Sequence, residues 1–182
     1  MDSDDRSLIS VLTRDHRRIA NLLARLVRRD EDRRQLVDEL TVEVMRHIAA
    51  EDLYLYPVAR EVFPVAREAI VDCVIDFSHH KDIDVRVEQI LADLAEAEPD
   101  SNSFDALVTK LVAEGSRVIL HEELAVFPWL ARYGDRQTLV ELGDVIKSFE
   151  DAVVVEKACG AGFTIRFGDR VLHRLSPAAP GD

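Results

Sequence analysis

A chain of 182 residues with 47% hydrophobic and 32% charged side chains, but only 7 Gly and 6 Pro, fits one compact domain of long amphipathic helices and excludes wholesale disorder. Its net charge of -12 would repel a phosphate backbone, and no Lys/Arg stripe stands clear of Asp and Glu, so no nucleic-acid partner is expected. No apolar run approaches the ~20 residues that span a bilayer, and the opening MDSDDRSL lacks a basic-then-apolar leader, so a cytoplasmic chain without a membrane partner, monomeric or homodimeric, is expected.

Along the chain, Asp4 or Ser7 can cap a first helix running to about Arg29, because Leu8, Leu12, Ile19, Leu23 and Leu26 recur at helical spacing. The charged run RRDEDRR then reads as a solvated loop. Leu36, Leu40, Val44, Ile48 and Leu55 define a second helix that ends or kinks near Tyr56-Pro57. A third starts after Phe63-Pro64, turns Ile70, Val74, Phe77, Val87, Leu91 and Leu94 inward and stops in EPDSNS. Ser101 or Ser103 caps a fourth, which uses Leu107, Leu111, Val118 and Leu124 and closes near Phe127-Pro128. Four helices with short loops predict an all-α, up-down-up-down bundle over 1–132.

Residues 133–182 add a shorter C-terminal helix, TLVELGDVIKSFEDA, and a partly irregular tail. Phe163, Ile165 and Phe167 alternate ahead of a Gly-Asp turn, a weak hairpin signal in strands too short to stand alone, and SPAAPGD reads as disordered. Cys73 and Cys159 occupy unlike settings and read as free thiols rather than a disulfide framework.

An internal repeat locates the chemistry. HIAAEDLYLYP from His47 aligns with VILHEELAVFP from Val118, and HRRIANLLARL from His16 with DVRVEQILADL from Asp84, so the bundle is two related hairpins. His47 and Glu51, four residues apart, share the face that carries Val44, Ile48 and Leu55 into the core. His16 lies among Leu12, Ile19 and Leu23 with the same inward bearing. Burying imidazole and carboxylate together costs several kcal/mol unless each finds a partner, and one cation satisfies both. The alternative is a set of satisfied core polar groups.

These motifs, DHRRI with His16, RHIAAEDLYLYP with His47 and Glu51, and EELAVFP with Glu122, resemble those of hemerythrin HHE-domain proteins, over roughly Leu8 to Leu130. The resemblance implies a hemerythrin-like bundle in which each hairpin gives two His ligands to one iron and two carboxylates bridge the pair. It therefore implies two iron ions with an oxo or hydroxo bridge, ahead of manganese or zinc, and a small-molecule ligand: O2, NO or H2O2.

The second hairpin departs from that pattern, since Asp84 and Val118 stand where histidines are expected and only Glu122 is retained. His80 lies four residues before Asp84 and His121 three after Val118; on antiparallel helices both displacements run toward the same bundle end, by roughly 4–6 Å. Tyr54, seven residues after His47, lies near the same angle and can offer a phenolate. The resulting expectation is one metal on His16 and His47, a second on His80 and His121 with Asp84 or Tyr54, and bridging by Glu51 and Glu122. A phenolate or extra carboxylate stabilises ferric iron, which favours peroxide decomposition or NO reduction over oxygen storage. The competing expectation is a bundle that has lost its metal and serves as a structural or partner-binding module.

Overall fold

The computed structural model describes residues 6–29, 32–66, 77–157 and 163–174. Helix α1 spans Leu8–Arg28; the Ser7 hydroxyl caps it by accepting from the Ser10 N–H, and Leu8, Leu12, Ile19, Leu23 and Leu26 are buried. Of the two expected caps Ser7 is the one used, and Asp4 lies outside the described residues. Helix α2 spans Arg33–Ala50 behind an Asp32 cap.

The charged run between these helices is not simply solvated. Arg33 is only 7% exposed, lies over the Phe104 ring at 4.2 Å and donates to the Pro99 carbonyl and to Asp105 at 2.7 Å. Arg34 donates to the carbonyls of Ala95 and Ala97, at 2.5 and 2.9 Å, satisfying groups that the end of a helix leaves open. The run therefore fastens one hairpin's turn to the other's.

Beyond Ala50 the chain does not end its helix at Tyr56-Pro57. A π-turn, Glu51–Leu55, leads directly into α3, Tyr56–Ala66, with Pro57 and Pro64 inside it. A proline ring in an ordinary helix would meet the carbonyl four residues back, and the widened turn before Pro57 relieves that clash. Ile70, Val74 and Cys73 of the expected third helix lie outside the described residues. Helix α4, Phe77–Glu96, buries Val87, Leu91 and Leu94.

Helix α5, Asn102–His121, is capped by Ser101, whose hydroxyl accepts from the Phe104 N–H. It passes through a second π-turn, Glu122–Val126, into α6, Phe127–Tyr133. Leu111 and Val118 are buried as expected, but Leu124 is 75% exposed. Six residues beyond Val118 is about one and two-thirds turns of a regular helix, which carries Leu124 off the buried face, and Val126 and Phe127 face inward instead. Contacts of α1 with α2 and α5, and of α4 with α2 and α5, close the expected four-helix ring. Fully buried Leu12, Leu26, Leu40, Met45 and Leu91 fill its centre, each contributing about 1.5–3 kcal/mol.

Helix α7, Arg136–Ala152, packs along α1. Gly143 permits the approach: a Cβ there would stand 1.9 Å from the Arg6 carbonyl oxygen. The chain then forms a three-stranded antiparallel sheet, β1 Val153–Lys157, β2 Phe163–Phe167 and β3 Arg170–Arg174, in that order. The expected hairpin is β2–β3, turning at Gly168 with φ 58°. It does not stand alone, because β1 supplies a third strand and Val153 and Ile165 are buried where the sheet meets α2. The tail SPAAPGD and Cys159 lie outside the described residues. Among the described residues no helix is long and apolar enough to cross a membrane.

Candidate metal centre

The two hairpins bring four polar side chains into the core: His16 from α1, His47 from the last turn of α2, and Glu51 and Glu122, each the first residue of a π-turn. His16 is 1% exposed, His47 6%, and both carboxylates are fully buried. One ligand atom from each lies within 4.8 Å of every other. His16 Nε2 approaches Glu122 Oε2 at 3.1 Å, His47 Nε2 approaches Glu51 Oε1 at 2.7 Å, and the two rings stand edge to face at 4.8 Å.

The π-turns shape this centre. In a π-turn the backbone N–H reaches five residues back, and residues five apart come onto one face. The Tyr56 N–H accordingly bonds to the Glu51 carbonyl, while its phenol donates to Glu51 Oε2 at 3.3 Å. The second turn repeats the arrangement, with the Phe127 N–H on the Glu122 carbonyl and the Phe127 ring stacked on His16 at 5.4 Å. Equivalent positions of the internal repeat thus set one aromatic ring against Glu51 and another against His16.

A second set of carboxylates stands behind the imidazoles. His16 Nδ1 bonds to Glu123 Oε1 at 2.9 Å, and His47 Nδ1 faces Asp15 Oδ2 at 3.8 Å. A carboxylate at Nδ1 holds the proton there and leaves Nε2 free to ligate, the usual arrangement behind a metal-bound histidine. Glu123 and Asp15 are sequence neighbours of Glu122 and His16, and that adjacency was the available signal for them.

Electrostatics divide the four groups into two pairs. Burial, followed by the charge of His47, lowers the His16 pKa. Burial also opposes charge on His47, but Glu51, Asp15 and Glu122 together raise it well above the usual imidazole range. Glu51 is held down to about 2: burial works against its ionisation, and His47 overcomes it. Burial, with the Glu51 charge added, pushes Glu122 well above the carboxylate range.

The donor set fits a cation. Among the described residues His47 Nδ1 and Nε2, Glu51 Oε1 and Glu122 Oε1 are buried side-chain atoms that complete no hydrogen bond. His47 and Glu51 are close enough to bond but are not aligned to do so, as expected when both point to a common third position. Two imidazoles and two carboxylates without thiolate suit iron or manganese.

The remaining sequence candidates fall elsewhere. Asp84 is buried and lines a cavity with His47 and Glu51, and its charge is felt by Glu122 and Tyr56. His121, the last residue of α5, is half-buried and outside the four-residue cluster. His80 belongs to α4, but its side chain lies outside the described residues. Tyr54 is half-buried with its ring edge-on to Phe149 at 5.7 Å and stands outside the four-residue cluster, whereas the Tyr56 phenol donates to Glu51. The π-turn begins between His47 and Tyr54, so the regular helical angle that placed Tyr54 over the site does not apply.

The cavity shared by Asp84, His47 and Glu51 measures about 40 Å³, and its other walls include Ile19, Leu23, Val44, Val87, Leu111 and Val118. Val118, where the repeat leads one to expect a histidine, forms part of this apolar wall.

The hemerythrin HHE cation binding domain model matches residues 7–130, most of the chain. No curated protein and no solved structure matches it.

Proposed function

Because the chain belongs to the hemerythrin HHE cation-binding domain family, we propose that it holds non-haem iron on His16, His47, Glu51 and Glu122 and uses it on a small oxidant or diatomic ligand: O2, NO or H2O2. The observation that carries the ligand class is the apolar cavity of about 40 Å³ against His47 and Glu51. A cavity this small and apolar suits an uncharged ligand of a few atoms, since on this measure one water needs about 10–15 Å³. Iron supplies redox chemistry and an exchangeable coordination position; the chain supplies orientation, charge and the exclusion of bulk water.

We extend the centre to two iron ions. Asp84 is a further buried carboxylate on the same cavity, and together with Glu51 and Glu122 it would supply the donors for a second ion. Three carboxylates stabilise ferric iron, which favours turnover of peroxide or NO over reversible oxygen storage. The Tyr56 phenol is kept neutral by burial and by the neighbouring Glu51 charge, so it serves as a hydrogen-bond donor to Glu51.

Metal analysis and an absorption spectrum of protein purified without chelators test the reading. Two irons per chain support the pair, one iron restricts the centre to the four-residue cluster, and none removes the proposal in favour of a structural or partner-binding module. Peroxide turnover per iron is expected to fall at least tenfold in His47→Ala with helicity retained; unchanged turnover would refute the assignment.

A further inference from the structure

We propose that helix α7, which lies outside the matched residues 7–130, is a working part of the metal centre: its Glu150 positions Asp15, and Asp15 positions the His47 ring for the cation. This inference rests on the cation reading above and adds a positioning role for a segment beyond the family match.

The chain of contacts is short. His47 presents Nε2 to Glu51, and its Nδ1 faces Asp15 Oδ2 at 3.8 Å. Both facing atoms are buried and complete no hydrogen bond among the described residues. Asp15 itself is 4% exposed, and it meets α7 in a cavity of about 220 Å³ that Asp15 and Glu150 both line, next to Gly143. The tight passage at Gly143, with the Arg6–Asp144 ion pair at 3.2 Å, sets the distance between α1 and α7 and so the position of Glu150.

Charge supports the direction of the interaction. Burial and the adjacent Asp15 carboxylate push Glu150 up to about 8, so near neutral pH it holds a proton that it can offer to Asp15 across the cavity they share. Arg18, at 3.6 Å from Asp15 Oδ1, keeps the pair from gathering uncompensated negative charge. The His16 ring has no such need of α7, because Glu123 bonds its Nδ1 directly at 2.9 Å.

The test is titration of the metal-free full-length chain with Co2+, read by its visible absorption bands and dissociation constant, for wild type, Asp15→Asn, Glu150→Ala, Glu150→Gln and the Asp15→Asn/Glu150→Ala double variant. Loss of a residue behind a metal-bound histidine weakens affinity about 10- to 100-fold, and we expect that of Asp15→Asn and about tenfold of Glu150→Ala. The double variant should bind no more weakly than Asp15→Asn, because Glu150 acts only through Asp15. Glu150→Gln keeps a donor of the same shape and should restore affinity to within about threefold of wild type. Glu150→Ala binding as tightly as wild type, or a double loss equal to the product of the single losses, overturns the inference. A wild-type chain that takes up no Co2+ instead overturns the cation reading on which it rests.

Discussion

His47 is the residue on which the centre turns. It meets Glu51 on one side and Asp15 on the other, and those carboxylates keep it protonated where an ordinary imidazole would be neutral. Glu122 is likewise held in its protonated form by burial and by Glu51. A cation must displace these protons, so its affinity should rise as pH increases from 5 to 8, with protons released on binding. Titrations at several pH values in weakly buffered solution check this; an affinity flat across that range would contradict the protonation states. The clustered residues were legible in sequence because two spacings, His47 to Glu51 and the recurrence at Glu122, survive in any helix of this kind. Tyr56 was not legible as a donor to Glu51, because five-residue contact belongs to a π-turn and the ordinary helical angle favours Tyr54.

At the scale of elements, the two π-turns are the shared device of the hairpins. Each begins at a carboxylate, widens the helix ahead of Pro57 or Pro128 and sets an aromatic ring over the centre. The internal repeat already carried Glu, aromatic and Pro at matching positions, so the duplication was visible while its geometry was not. Helix α7 was visible as a helix, but its docking depends on Gly143. In Gly143→Ala the new methyl would meet backbone atoms of Arg6, Ser7 and Leu8, all nearer than 3.0 Å, which flexible side chains cannot relieve. We expect a loss of about 1–3 kcal/mol and a fall in Tm of several degrees, measured by thermal denaturation of the metal-free chain. A Tm equal to wild type would show that α7 does not lie this close. The strand β1 was missed, although the run Val153, Val154, Val155 carries β propensity, because three valines also fit the end of an apolar helix.

For the whole molecule, the buried polar cluster is a cost that the metal-free fold carries and a cation removes. Cation binding should therefore raise Tm in a concentration-dependent way, by the equivalent of about 2.7 kcal/mol at one hundred times the dissociation constant. Thermal melts with and without Fe2+ under anaerobic conditions measure this, and a Tm that ignores added iron and chelator alike would deny a built site. By itself the sequence determined the helical bundle, its pairing into two hairpins and the inward bearing of His16, His47, Glu51 and Glu122, because these follow from spacing along single helices. Only the tertiary structure decided which tyrosine meets Glu51, which carboxylates stand behind the imidazoles and how α7 reaches Asp15. Those outcomes depend on distances between helices and on two local changes of helical pitch, and residue order along one chain does not encode either quantity directly.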